Sequence, residues 1–138
     1  MMEILFRGKR IDNGEWVEGY YTKAKDCISE KEVHVIFHTD LTLFPHSEFS
    51  SYEEVIPETI GQYTGLMDKN GRRIFEGDIV DHYYQKGFFN RGVVIWDSQN
   101  ARFAHELRSM SPAFSLYHPE AWEIIGNIHE NPELLKEA

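Results

Sequence analysis

The chain reads as a mainly β protein, and three observations say so. Its aromatic share is high, with 9 Phe, 7 Tyr and 3 Trp in 138 residues, and such side chains favour pleated, half-buried surfaces. Two Asn-Gly pairs, Asn13-Gly14 and Asn70-Gly71, are hairpin turn signals because both positions tolerate positive φ. Short apolar runs recur between tight bends, the pattern of a small barrel or sandwich.

The first region, 1–58, is β-rich. Ile4 to Tyr21 reads as a hairpin about Asn13-Gly14, setting Ile11 opposite Trp16, Lys9 opposite Glu18, Arg7 opposite Tyr20 and Phe6 opposite Tyr21. Lys9 and Glu18 then form a cross-strand ion pair, while Ile4, Phe6, Val17 and Tyr21 line the other face. Gly8 and Gly19 face each other and leave room for another backbone. Lys23 to Lys31 is polar and reads as a loop. Val33 to Phe37 is a strand, with Val33, Val35 and Phe37 on one face and His34, Ile36 and His38 on the other. Thr39 to Tyr52 fits either a long functional loop or a short helix. Val55-Ile56-Pro57, followed by Glu58-Thr59, marks a boundary.

The second region, 59–138, is more regular. Asn70-Gly71 sets Asp68 opposite Arg73 and Met67 opposite Ile74. Gly77-Asp78 opens a strand from Ile79 to Tyr84, and an aromatic loop spans Gln85 to Asn90. Gly92 to Asp97 is nearly continuous in apolar residues, so it is expected to be buried on both faces or nearly so. Ala101 to Leu107 alternates, with Ala101, Phe103, His105 and Leu107 on one side. Phe114 to Tyr117 and Trp122 to Gly126 are two further short strands. The tail is expected to be helical: Asn131 is a good N-cap, Pro132 suits the first position and Glu133 complements the helix dipole. Leu134 and Leu135 anchor it.

Charge and cysteine content narrow the function. Net charge is −9, from 14 Lys+Arg against 23 Asp+Glu, and both regions are acidic. No cluster of cations offers a general phosphate-binding surface. The lone Cys27 allows neither an internal disulfide nor a cysteine zinc site, which fits a reducing, cytoplasmic setting. No apolar run is long enough to span a membrane.

No constellation of reactive residues outweighs its plain reading. His34 and His38 lie roughly 13 Å apart along a strand, too far for one ion. His118, Glu120, Glu123, His129 and Glu130 are a loose group that chance supplies. Asp78, Asp81 and Asp97 would approach one another if the strand at Ile79 paired with that at Val93, but aspartates at turns usually bond backbone amides. Cys27 has no interpretable histidine partner, and no Gly-x-Ser-x-Gly elbow or phosphate-cradling loop occurs. No catalytic residue, metal or cofactor is assigned, and the chain is read as no enzyme.

Five stretches resemble the YopX family of bacteriophages and prophages. They are Phe6-Arg-Gly-Lys-Arg10, Asn13-Gly-Glu-Trp-Val17 with Gly19-Tyr20, the run Ile60 to Val80, Gly92-Val-Val with Trp96-Asp97, and Trp122-Glu-Ile-Ile-Gly-Asn-Ile-His-Glu-Asn-Pro-Glu-Leu134. They span nearly the whole chain. The resemblance implies a mainly β fold whose second part is an SH3-like barrel, and a phage origin; it brings no biochemical activity. In SH3-like barrels loop aromatics often form the ligand groove, which singles out Tyr83, Tyr84, Phe88 and Phe89, with Arg91 beside them. The leading expectation is therefore a non-catalytic accessory protein that binds a protein partner, or a copy of itself, through these residues. Stacking of single-stranded nucleic acid on barrel aromatics is the alternative, and a metal-dependent enzyme is the third reading.

Overall fold

The computed structural model describes residues 3–38, 52–85, 87–107, 114–115 and 121–136, with the backbone alone at Tyr84, Gln85, Phe88, Leu107, Phe114 and Ser115. The expected loop or helix from Thr39 to Tyr52 lies almost wholly outside the described residues. The protein is mainly β, and antiparallel throughout its described pairings. It divides into two compact units, Met1–Gln62 and Tyr63–Ala138, with the division inside a strand.

In the first unit, β1 (Phe6–Lys9), β2 (Trp16–Lys25), β3 (Glu32–His38) and β4 (Tyr52–Glu54) pair in the order β4-β3-β2-β1. The first two residues of β5 (Gly61–Met67) pair with β1 on its other side. Arg10 bridges Val55, and Ile56 N donates to Lys9 O, so the chain after β4 returns to the end of β1. A single 3₁₀ turn, Pro57–Thr59, follows, and Thr59 Oγ1 accepts Lys9 N at 2.9 Å. The core on one face of this sheet is Val17, Ile36 and Val55, flanked by Phe6, Tyr21 and Ile60.

The first hairpin forms in a different register from the one its turn pair suggests. Lys9 faces Trp16, Arg7 faces Glu18 and Phe6 faces Gly19, so Lys9 and Glu18 do not stand directly opposite each other. The cause is the turn. Arg10 N donates to Glu15 O and Gly14 N to Arg10 O, enclosing a loop longer than two residues. Asn13 Oδ1 accepts Glu15 N, and Arg10 grips Asp12 at 2.8 Å. A slip by an even number of residues leaves each side chain on its expected face. Phe6, Val17 and Tyr21 therefore still reach the core, whereas Ile4 precedes the strand and is exposed.

Gly8 and Gly19 do serve close packing, but not opposite each other. A Cβ on Gly8 would press on Val55, and one on Gly19 would collide with the Phe37 carbonyl of β3. β2 also runs further than expected, through Lys25, because Lys23, Ala24 and Lys25 pair with His34, Val33 and Glu32. Cross-strand backbone bonding overrides their polar composition. The loop shrinks to residues 26–31.

In the second unit the remainder of β5 pairs with β6 (Arg73–Phe75). A five-stranded sheet follows, in the order β10-β9-β8-β7-β11, from β7 (Asp78–Gln85), β8 (Phe88–Asp97), β9 (Arg102–Leu107), β10 (Phe114–Ser115) and β11 (Trp122–Asn127). The expected strand to Tyr117 is seen as β10, and the residues that follow it lie outside the described set. Among the described residues the sheet stays open, with β10 and β11 at its edges, and closes into no barrel. Ile74, Val80, Val94, Trp122 and Ile124 form the core, with Leu66 and Ala121 against it. Burying side chains of this size contributes roughly 2–3 kcal/mol each.

Three expectations for this unit are corrected. At the second hairpin Met67, not Asp68, faces Arg73. The Asp68 carboxylate accepts both Asn70 N and Arg72 N, which lengthens the turn. A slip by an odd number reverses the faces: Ile74 turns inward and Met67 outward. Second, burial along Gly92 to Asp97 is uneven: Val94 is buried, Val93 and Ile95 on the opposite face are only half-buried, and Trp96, further along the face of Val94, is exposed. Third, in place of the short C-terminal helix the tail forms a single 3₁₀ turn, Pro132–Leu135. Asn131 does not cap it; its Oδ1 instead accepts Asn127 N, which ties the tail back to β11.

Candidate functional site

The expected aromatic loop is mostly strand. β7 and β8 are joined in a hairpin, and before β8 Gly87 adopts φ +84°, a conformation open to glycine at little cost. Tyr83 stands opposite Phe89, Asp81 opposite Arg91, and Glu123 of β11 opposite Asp81. Strand alternation thus puts Asp81, Tyr83, Phe89, Arg91 and Glu123 on one face. The core residues Val80, Val94, Trp122 and Ile124 occupy the other.

The face is built from two clamped cations and two rings. The Tyr83 and Phe89 rings lie 5.7 Å apart and tilted. The Arg91 guanidinium sits 5.4 Å from the Phe89 ring centre and grips Asp81 with both Nε (2.8 Å) and Nη2 (3.1 Å). Lys69, from the turn between β5 and β6, sits 4.7 Å from the Tyr83 ring centre and 3.7 Å from Glu123 Oε1. Tyr83 Oη donates to the same Glu123 oxygen at 2.9 Å. That bond, with burial and the nearby carboxylates, raises the phenol above its usual range, so it stays neutral at physiological pH. Each carboxylate therefore holds a group that the neighbouring ring needs in place. Phe89 remains 45% exposed above them.

Of the five residues singled out in the sequence, Tyr83, Phe89 and Arg91 come together. Tyr84 and Phe88 lie on the same hairpin, but their side chains are outside the described residues. Lys69 was missed, because nothing local links a turn residue to a strand it meets only in the tertiary fold. Asp81 and Glu123 were weighed for other chemistry. Asp81 opposite Arg91 is a local relation within the β7–β8 hairpin.

The other constellations do structural work. Asp78 Oδ2 accepts Phe75 N at 2.8 Å, Asp81 holds Arg91, and Asp97 binds Asn100 and Arg102 at its turn. β7 does pair with β8, yet the three aspartates serve three separate places. The Asn100 side chain, chiefly, lowers the Asp97 pKa. His34 Nδ1 lies 2.6 Å from Tyr21 Oη, and His38 Nε2 lies 3.4 Å from Glu53 Oε1. His118 and Glu120 are outside the described residues. Among the described residues no three His, Cys, Asp or Glu side chains are grouped to hold a metal ion, and no helix is long and apolar enough to cross a membrane.

His82 and His105 share one aromatic partner. His82 stacks on Trp122 at 4.3 Å, and His105 meets it edge-on at 4.7 Å. Buried His105 Nε2 lies 3.0 Å from Val80 O, so this nitrogen carries the proton and donates. Burial pushes the imidazole down to about 4, and it is neutral at physiological pH.

Fold and surface together define a mainly β protein of two units, the second of which presents an aromatic–cation face. The chain belongs to the YopX family: the family model described as YopX protein matches residues 5–136. It is similar to the crystal structure of protein EF1440 from Enterococcus faecalis, with 29% identity, 98% of this chain and 99% of that one covered, and a TM-score of 0.58. No curated protein matches.

Proposed function

We propose that the chain is a non-catalytic binding module, and that the β7–β8 face engages a protein partner. The observation that carries this reading is the half-exposed Phe89 ring, held between Tyr83 and an Arg91 already fixed by Asp81. Exposed aromatic and arginine side chains are the usual energetic anchors of interfaces. Fixing them beforehand lowers the ordering cost of association. The clamping also weighs against acid–base chemistry, since the phenol stays protonated and the guanidinium is committed. Phe88 and Tyr84 belong to the same proposed contact. The phage accessory role suggested by the YopX resemblance, inside a bacterial host cell, fits such a module.

The test is comparative capture. A protein retained by the wild-type chain, identified and then titrated with the purified components, is expected to bind Phe89→Ala at least about tenfold more weakly. Equal binding by Phe89→Ala, Phe88→Ala and the double variant would remove this face from the reading.

One observation favours the nucleic-acid alternative. The Arg7 guanidinium and the Lys9 ammonium lie 4.7 and 5.6 Å from the Trp16 ring centre in the first unit. Cations beside an aromatic ring suit a stacked base and its phosphate. Anisotropy of labelled single strands at low salt tests it, and no signal change ends it.

A further inference from the structure

The hairpin of β2 and β3 ends in a tightly bonded tip that displays one aliphatic side chain. Asp26 N donates to Lys31 O, Glu30 N to Asp26 O, and Ile28 N to Asp26 Oδ1 at 2.9 Å. The backbone amides of Ile28 and Ser29 hold the Asp26 carboxyl below its usual range. Glu30 takes φ +58°, a conformation that the surrounding bonds impose. Out of this turn Ile28 projects 90% exposed. An ordered aliphatic knob so far from any cover has a cost in water that a partner surface would remove.

A hollow lies beside this tip, reaching from the turn residues Asp26 and Cys27 along β3 to β4. It holds about 420 Å³ and is lined by Val33, Val35, Phe37, Tyr52 and Ala24, with Glu54 on its rim. Its walls are mainly apolar, and it easily exceeds the size of one isoleucine side chain. The knob cannot enter its own hollow, because the turn fixes it in solvent. The charges around knob and hollow are of both signs: Lys31 and Glu30 flank the knob, Lys25 and Glu54 the hollow. Among the described residues none of these four side chains is engaged in an ion pair.

We propose that two copies of this chain associate about a two-fold axis, each placing Ile28 in the hollow of the other. Knob and hollow lie on one hairpin, so a single rotation satisfies both contacts and closes the assembly. Lys31 beside each knob then meets Glu54 on the opposite rim, which supplies the charge complementarity that an acidic chain needs to approach a copy of itself. This contact belongs to the first unit and is independent of the Phe89 face.

Sedimentation of the purified full chain over a dilution series, in the presence of reductant, tests the proposal. The expected result is a mass of two copies that dissociates on dilution. Ile28→Asp should raise the dissociation constant at least about 30-fold, with an unchanged circular dichroism spectrum because the side chain is almost wholly exposed in its own chain. Ile28→Leu and Phe89→Ala should retain the dimer. Lys31→Glu should weaken it, and adding Glu54→Lys should restore it. A bis-maleimide should join the two copies through Cys27, which lines the hollow. A single-copy mass at every concentration overturns the proposal, as does a dimer indifferent to Ile28→Asp.

Discussion

The Asp68 carboxylate accepts the backbone N–H of Ile124, 56 residues away, at 3.0 Å. Its other oxygen holds Asn70 N and Arg72 N of its own turn. Lys69 N donates to Trp122 O beside it. The turn between β5 and β6 thus covers the outer edge of β11, which would otherwise present unpaired backbone groups to other chains. It also carries Lys69 to the ring of Tyr83, so the geometry of the aromatic–cation face depends on this turn.

Asp68→Ala is expected to destabilise the protein by about 2–4 kcal/mol, since it orphans a backbone amide in the buried edge and frees two more in the turn. Urea unfolding measures the loss. A change below about 0.5 kcal/mol would mean that water replaces the carboxylate.

Stability should fall on mild acidification. His105 is depressed to about 4 in the folded chain, against 6.5 when unfolded. Above pH 6.5 both states are neutral and the full stability is present. Between 6.5 and 4 the unfolded state binds a proton that the folded state refuses, so stability drops as pH falls through this window. The slope reaches about 1.4 kcal/mol per pH unit, or about 2 kcal/mol between pH 6.5 and 5. His105→Gln should flatten that part of the profile, and an equal slope in the variant would assign it to other groups.

Two glycines separate close packing from backbone strain. Gly19→Ala drives a methyl group into the Phe37 carbonyl and should cost about 3 kcal/mol or more. Gly14→Ala has open space but φ +72°, and should cost only about 1 kcal/mol. Thermal midpoints of the two variants check the order, and a reversal would contradict the close pairing of β2 with β3.

Arg91→Ala should destabilise by about 3–5 kcal/mol, because it strands Asp81, only 3% exposed, without its countercharge. Asp81→Asn combined with Arg91→Ala should recover part of this loss. The unfolding free energies of the single and double variants give the coupling. Phe89→Ala, at an exposed position, should change stability little. It is therefore the cleaner probe of binding.

Much of the fold was legible along the chain. Strands at Val33 to Phe37, Ile79 to Tyr84 and Trp122 to Gly126 are all present, because apolar and polar residues alternate there and bends bound them. The cluster of Tyr83, Phe89 and Arg91 was also within reach, since hairpin pairing is a local relation. What misled was turn chemistry. Arg10 to Glu15 and Asp68 to Arg72 close through side-chain bonds that an Asn-Gly pair does not announce.

By itself, the order of residues determined the β class, the alternation of faces and the places where the chain reverses, since backbone sterics and a period of two act over neighbouring residues. Only the tertiary structure decided that the second sheet stays open among the described residues, that Asp68 bonds its β11 edge, and that Lys69 and Glu123 converge on Tyr83. Those contacts join residues far apart in the chain, and their energy exists only once burial has excluded water and fixed both partners.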